Sequence, residues 1–300
     1  MAPLMPCYHP LKAFQTTSGD VIFAERGQIA RVLELPCGRC VGCRLERSRQ
    51  WAVRISHEAS LWDRNCFITL TYDVDHIPAG GSLVYRDFQL FMKRLRREAK
   101  QGVRFYMCGE YGEGFDRPHF HACLFNFDFA DKVLWRKGRP GADIYRSAVL
   151  ERLWPFGFST VGSVTFESAA YCARYVMKKV TGDLAVGHYR CVDTETGEVI
   201  ERVPEFNHMS LKPGIGAEWF EKYSRDVFPH DFVIVKGKRC KPPRYYDKIL
   251  KRRDALGFDD VNQDRMEWDP ARDADNTVER LREREIVEEA RISFLKREIT

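Results

Sequence analysis

The sequence predicts an α+β fold, an antiparallel sheet with helices on one face, with a Cys-rich N-terminal arm and a basic C-terminal extension. Two observations predict it. Helical and strand-like patterns follow in the order helix, strand, helix, strand, strand, helix, strand, helix, and the two consecutive strands flank the turn-rich GEYGEGFDRP, a tight antiparallel pair. At 300 residues the chain also exceeds one compact core of about 100–200 residues, so additions at the ends are expected. The expected division is an arm and basic helix over 1–60, a core over 61–185, a basic hairpin and extension over 186–250, and a charged, partly helical tail over 251–300.

The first 36 residues lack clear periodicity. After PCGRC, residues Leu45, Trp51, Val53, Ile55, Ala59 and Leu61 fall broadly on one side of a helix, with Arg44, Arg47, Arg49 and Arg54 elsewhere. CFITLTY, Cys66 to Tyr72, mixes β-branched and aromatic residues and reads as a strand. A helix over about Tyr85–Gln101 would bury Phe88, Phe91, Met92 and Leu95 and carry Lys93, Arg94, Arg96 and Arg97. VRFYMC and HFHACLF form the strand pair. Residues 145–154 suggest a short helix stopped by Pro155, and FSTVGSVTF a further strand. Ser168 is expected to cap a helix running to about Val180, its hydroxyl accepting from free backbone N–H groups. YRCVDTETGEVIER reads as a hairpin, and Asn276 to Ile299 as a charged helix.

Composition narrows the class. Hydrophobic residues at 44%, aromatic at 13% and charged at 30% exclude a largely disordered, collagen-like or coiled-coil chain. No apolar run approaches the roughly 18 residues of a membrane span, and no basic stretch followed by an apolar one opens the chain, so a cytoplasmic location is expected. The net charge of +5 is uneven: the last 50 residues carry 11 Lys and Arg against 14 Asp and Glu, leaving 37 against 29 on residues 1–250. A phosphate backbone would favour that basic excess.

Ten cysteines in a reducing compartment are better metal ligands than disulfide partners where they cluster. Cys37, Cys40 and Cys43 form C-x2-C-x2-C, and Cys7 is the candidate for a fourth ligand, with His9 behind it. Structural Zn²⁺, an iron–sulfur cluster and unligated thiols all suit this spacing. A second cluster centres on RPHFHACLF. His119 and His121 are two apart in a strand, so both imidazoles point to one face. Glu110, just past the preceding strand, could add an oxygen ligand. Such a set suits Mg²⁺ or Mn²⁺ bound to a phosphate, and Zn²⁺ would accept it; histidines that merely pack on the sheet are the alternative. In AAYCARYVMKK, Tyr171 and Tyr175 sit four apart on one side of a helix, with Lys178 and Lys179 able to supply positive charge. Their alternative is an aromatic pair packed on the sheet.

The succession FITLTYD, GEYG, RPHFHACLF and YCARYVMKK over residues 67–179 resembles the HUH endonucleases, specifically the two-tyrosine rolling-circle initiators of the Microviridae, gokushovirus type. PCGRCVGCRLERSRQWAVR, MSLKPGIG and CKPPRYYD extend the similarity over most of residues 36–247. The resemblance implies a ferredoxin-like nicking core with the histidine strand central. It implies His119, His121 and Glu110 as ligands of Mg²⁺ or Mn²⁺, with Glu113 the nearest competitor for the third position. Tyr171 and Tyr175 match the paired nucleophiles and Lys178 the lysine that follows them; Thr69 and Thr71 belong to the first motif.

The implied activity is origin nicking through a 5′-phosphotyrosine, release of a 3′-OH primer, and rejoining of the displaced strand into a circle. The partners implied are single-stranded or supercoiled origin DNA and a host polymerase in a bacterial cytoplasm. A host helicase is implied too, because no G-x4-G-K-[ST] loop is present. Candidate DNA contacts are Arg44, Arg47, Arg94, Arg97, Lys179, Lys238 and Arg239. A plasmid initiator or transposase would share this chemistry, whereas a zinc-stabilised DNA-binding regulator would use the same residues structurally.

Overall fold

A computed structural model describes residues 7–100, 102–112, 116–138, 143–174, 179, 184–192, 197–266 and 274–293. The chain opens with β1 (Leu11–Thr16), β2 (Val21–Ile22) and β3 (Ile29–Leu35), followed by α1 (Val41–Ala59), β4 (Asn65–Tyr72) and α2 (Tyr85–Ala99). Next come β5 (Arg104–Tyr111), β6 (Pro118–Phe125), β7 (Val133–Arg136), β8 (Ile144–Arg146), α3 (Ala148–Leu153), β9 (Gly157–Gly162) and α4 (Phe166–Arg174). After them lie α5 (Leu184–His188), β10 (Arg190–Val192), β11 (Val199–Glu201), β12 (Phe206–Met209) and α6 (Ala217–Val227). The chain ends with β13 (Val233–Val235), β14 (Lys238–Cys240), α7 (Arg244–Arg253), α8 (Ala255–Met266) and α9 (Val278–Ser293).

The expected α+β architecture is present: a seven-stranded sheet in the order β12-β5-β6-β4-β9-β8-β7, antiparallel at every pairing. Alternation along the strands gives the sheet two different faces. Ile68, Leu70 and Tyr72 of β4 and Phe120, Ala122 and Leu124 of β6 point into one core, where Phe88, Phe91 and Leu95 of α2 and Leu150 of α3 cover them. Each such ring or aliphatic chain contributes roughly 1.5–3 kcal/mol on burial. The second face is covered only in part, by Ala52 and Ile55 of α1 and Ala169 and Cys172 of α4, packed on Phe67, Tyr106, Cys108 and Cys123. The expected helical layer thus has a counterpart across the sheet, because α1 is apolar on the side that meets Phe67.

Three local readings are corrected. The N-terminal arm forms a small sheet, β2-β1-β3, whose strands alternate too weakly to be read from sequence. β12, from the stretch read as a basic extension, pairs with β5, so the large sheet is not completed within 61–185. Ser168 lies inside α4 rather than before it: Thr165 Oγ1 accepts from the Ser168 N–H at 3.2 Å, and Ser168 Oγ accepts from the Thr165 N–H at 2.8 Å. That is a reciprocal cap with serine in the place usually taken by Glu or Gln.

MSLKPGIG acquires a packing reason. Gly216, at φ +78, precedes α6, and a Cβ there would lie 2.9 Å from the Tyr246 hydroxyl; one at Gly214 would lie 2.3 Å from that of Tyr245. Only glycine lets this turn approach α7 so closely. The turn is held from α1, where the buried Glu58 accepts from the Gly216 N–H at 2.7 Å and pairs with Arg104 of β5 at 2.5 Å.

Candidate active site

Glu110 lies within β5 and is the direct cross-strand partner of His119 in β6. The sequence pattern alone puts it just past that strand. His121, two residues on, shares the face. Register therefore converges the three side chains: Glu110 Oε1 is 2.6 Å from His119 Nε2 and 2.9 Å from His121 Nε2, and the three ligand atoms lie within 4.8 Å of one another. Glu110 is 1% exposed and His121 4%. Burial alone would raise the Glu110 pKa, but hydrogen bonds and charge from the two histidines outweigh it and pull the carboxyl down to about 2.

Each imidazole is oriented from behind. His119 Nδ1 donates to the Arg117 carbonyl at 2.9 Å. His121 Nδ1 is hydrogen-bonded to Thr69 Oγ1 at 2.9 Å across the β4–β6 pairing, where Thr69 faces His121. The first of these bonds tests whether a cation fits. A carbonyl can only accept, so Nδ1 of His119 carries the proton and Nε2 of a neutral ring presents a lone pair. That lone pair faces an ionised carboxylate oxygen, and only a cation, an extra proton or a metal, reconciles the two. Two imidazoles and a carboxylate with further positions open are the donor set of a divalent metal site.

α4 lies over this group. Its Tyr171 sets its ring edge-on to His121 at 5.1 Å between centroids and to Phe67 at 6.4 Å. Tyr171 is thus brought to the histidines, as the sequence pattern expects. Tyr175, Lys178 and the competitor Glu113 lie outside the described residues. Lys179 is exposed.

Four sulfurs, of Cys7, Cys37, Cys40 and Cys43, form the second group, also within 4.8 Å of one another. Cys7 joins from 30 residues upstream of Cys37, whose N–H donates to the Cys7 sulfur at 3.2 Å. The Sγ–Sγ separations of 4.0 Å for Cys37–Cys43 and 3.9 Å for Cys40–Cys7 are close to the edge of about 3.8 Å for a tetrahedron built on Zn–S bonds of about 2.3 Å. Burial opposes ionisation of Cys37, but the N–H groups of Cys40 and Arg39 donate to its sulfur and lower its pKa to about 6. The donor set therefore fits a single tetrahedral ion.

The basic candidates separate by face. Arg44 and Arg47 ride on α1, one turn from the Ser48 hydroxyl that donates to the Ala170 carbonyl of α4, and so lie on the site's side. Lys238 and Arg239 are on β14, whose hairpin partner segment reaches α4 through a Lys236–Glu167 ion pair. Arg94 and Arg97 are corrected: α2 packs on the opposite face, and Arg94 Nε donates to the Leu153 carbonyl at 2.9 Å, so its guanidinium serves the α2–α3 contact. Thr69 is the residue whose role sequence reasoning leaves unassigned; only its register with His121 reveals it.

A metal-type histidine pair on a central antiparallel strand, with a tyrosine on the covering helix, defines the class of rolling-circle replication initiators. A family model described as a replication-associated protein of the ORF2 type matches residues 65–180. The replication-associated protein VP4 of Bdellovibrio phage phiMH2K is 34% identical over 260 residues, 83% of this chain and 78% of that protein. The replication-associated protein ORF2 of Spiroplasma virus 4 is 32% identical over 273 residues, covering 83% and 81%. The replication-associated protein ORF4 of Chlamydia phage 1 is 30% identical over 226 residues, covering 73% and 54%. No solved structure matches. The chain belongs to this family of phage replication-associated proteins, rolling-circle initiators of the Microviridae type, and acts in replication initiation in a bacterial host. No helix among the described residues is long and apolar enough to cross a membrane.

Proposed function

We propose that the protein nicks single-stranded origin DNA by tyrosine attack and later rejoins the displaced strand. The observation that carries this reading is the Tyr171 ring against His121, beside the converged Glu110, His119 and His121. A divalent cation, Mg²⁺ or Mn²⁺, held by those three residues would stabilise the charge that builds on the scissile phosphate. Thr69 and the Arg117 carbonyl hold the two imidazoles in place. The Tyr171 phenolic oxygen bonds to phosphorus as the bond to the 3′-oxygen breaks; the proton lost by the phenol is balanced by one gained on the 3′-OH. Because a phosphodiester is exchanged and not hydrolysed, the 5′-phosphotyrosine keeps the bond energy for resealing, and the 3′-OH primes a host polymerase. Tyr175 serves as the second nucleophile in the closing cut, with Lys178 supporting the phenolate charge. Arg44, Arg47, Lys179, Lys238 and Arg239 contact phosphates, and a host helicase opens the duplex.

At the N-terminus, Zn²⁺ bound by the four thiols has a structural part. Sulfurs about 4 Å apart surround one ion, which favours zinc over a multi-iron cluster.

Labelled single-stranded origin DNA incubated with the protein and Mn²⁺, run on a denaturing gel and mapped to a peptide, tests the reading. An adduct on Tyr171 or Tyr175 is expected, lost in the Tyr171→Phe/Tyr175→Phe double variant. An adduct undiminished in that variant overturns the assignment of the nucleophiles. Failure to form one with Mn²⁺, Mg²⁺ or Zn²⁺ favours a zinc-stabilised DNA-binding regulator.

A further inference from the structure

The face that carries the metal-type group is roofed on one side and open on the other. α1 and α4 cover the part over Phe67, Tyr106, Cys108 and Cys123. In the opposite direction, one cross-strand row runs from Glu110 of β5 through His119 of β6 and Thr71 of β4 to Phe158 of β9, by the pairings Glu110↔His119, Thr71↔His119 and Thr71↔Phe158. Directly paired residues share a face, so Phe158 looks out of the same surface as His119. Two strand spacings separate them, about 10 Å, or about three stacked-nucleotide steps of about 3.4 Å.

Phe158 is 63% exposed, and no ring or cation among the described residues packs on it. Phe156, just before β9, is by contrast held against Trp154, Tyr72 and His76. An isolated exposed apolar side chain is ordinary on a protein surface; the position of this one is not arbitrary. Gly157, at φ +143, brings the start of β9 so close to β4 that a Cβ would sit 2.3 Å from the Asp73 nitrogen and 2.6 Å from the Thr71 carbonyl. The backbone there has no freedom to turn the ring elsewhere. Thr71, beside Phe158, and Thr160, beside Thr69, place half-buried hydroxyl residues on the same face. Neither hydroxyl has a protein partner among the described residues, and both are suited to sugar or phosphate oxygens.

We propose that Phe158 is a stacking platform for an unpaired DNA base flanking the scissile phosphate, with Thr71 and Thr160 holding the backbone beside it. The proposal rests on the reading that the strand is cut at the Glu110, His119 and His121 group. A phenyl ring has no hydrogen-bonding atoms, so the platform accepts any base. It is a positioning residue: it fixes which phosphate reaches Tyr171 without choosing the origin sequence.

The test uses the full chain and fluorescein-labelled oligo(dT), with binding followed by anisotropy. Phe158→Ala is expected to weaken binding about 5- to 100-fold, the range that base–aromatic stacking implies, while Phe158→Trp restores it and Phe158→Leu does not. An abasic site walked along the oligonucleotide should weaken wild-type binding at one position and leave Phe158→Ala indifferent there. The ring is exposed, so melting temperatures should match wild type. Equal binding by Phe158→Ala and wild type overturns the proposal, as does full binding by Phe158→Leu, which would indicate apolar contact without stacking, or no binding by wild type. Binding is read without cleavage. Phe158-dependent binding with no tyrosine adduct would therefore sink the nicking reading alone, and an adduct with Phe158-independent binding would sink this one alone.

Discussion

His119 and Glu110 set two acceptors face to face, an arrangement that only a cation relieves, and the residues behind them decide how well it is held. Thr69 is the more accessible of these supports to test. Thr69→Val keeps the shape and removes the hydroxyl on His121 Nδ1, so Mn²⁺ affinity should fall about 10- to 100-fold by calorimetric titration, with the melting temperature little changed. The histidine pair and Glu110 are legible in sequence because strand alternation is local. The hydroxyl is not, because T-x-T says nothing about which threonine meets which histidine. A second histidine carries a stability signature. His57 stacks on Trp219 at 3.5 Å between ring centroids, and burial lowers its pKa from 6.5 to about 3. The unfolded chain then binds the extra proton first as pH falls, so stability present above 6.5 is lost between 6.5 and 3, with a slope up to about 1.4 kcal/mol per pH unit. Urea melts of His57→Gln should show a shallower loss between pH 6.5 and 4.5.

Among the elements, α1 and α9 show how the cysteines act on the fold. Cys40 is the N-cap of α1, its sulfur accepting from the Cys43 N–H, so the cluster and the helix start are one structure. Leu281 of α9 is 5% exposed against Cys40 and Tyr8, and His9 Nε2 lies 2.7 Å from Glu285 Oε2. The acidic C-terminal helix, which its own composition leaves without a role, is thereby packed on the N-terminal cluster. Cys7→Ser should lose about one equivalent of bound zinc by elemental analysis. Trypsin should then cut faster at Arg280, Arg282 and Arg284, as it should in wild type treated with a chelator. Unchanged cleavage would show that α9 docks independently of the thiols.

Across the whole molecule, α1 joins the parts. It touches the sheet through Ala52 and Ile55, the C-terminal helices through Val53, and the glycine turn through Glu58. Glu58 is fully buried and Arg104 nearly so. Removing one partner of such a pair leaves the other uncompensated, so Glu58→Gln should destabilise the fold by about 3 kcal/mol in urea unfolding. MSLKPGIG is therefore part of the framework around the site. Its glycines answer to Tyr245 and Tyr246, about thirty residues away, a requirement that a reading of the motif alone does not contain.

What the sequence determined by itself is what short-range periodicity and spacing encode: the order of helices and strands, a histidine pair on one face, three thiols on one turn, a tyrosine on a helix. Helix pitch and strand alternation act over a few residues, so these are readable without a partner. The tertiary structure alone decided that Cys7 completes the thiol cluster, that Thr69 and not Thr71 meets His121, that β12 joins the sheet, that Arg94 faces away from the site and that Phe158 shares its face. Each of these depends on register or contact between segments far apart in the chain, which is set by the burial of many remote side chains at once.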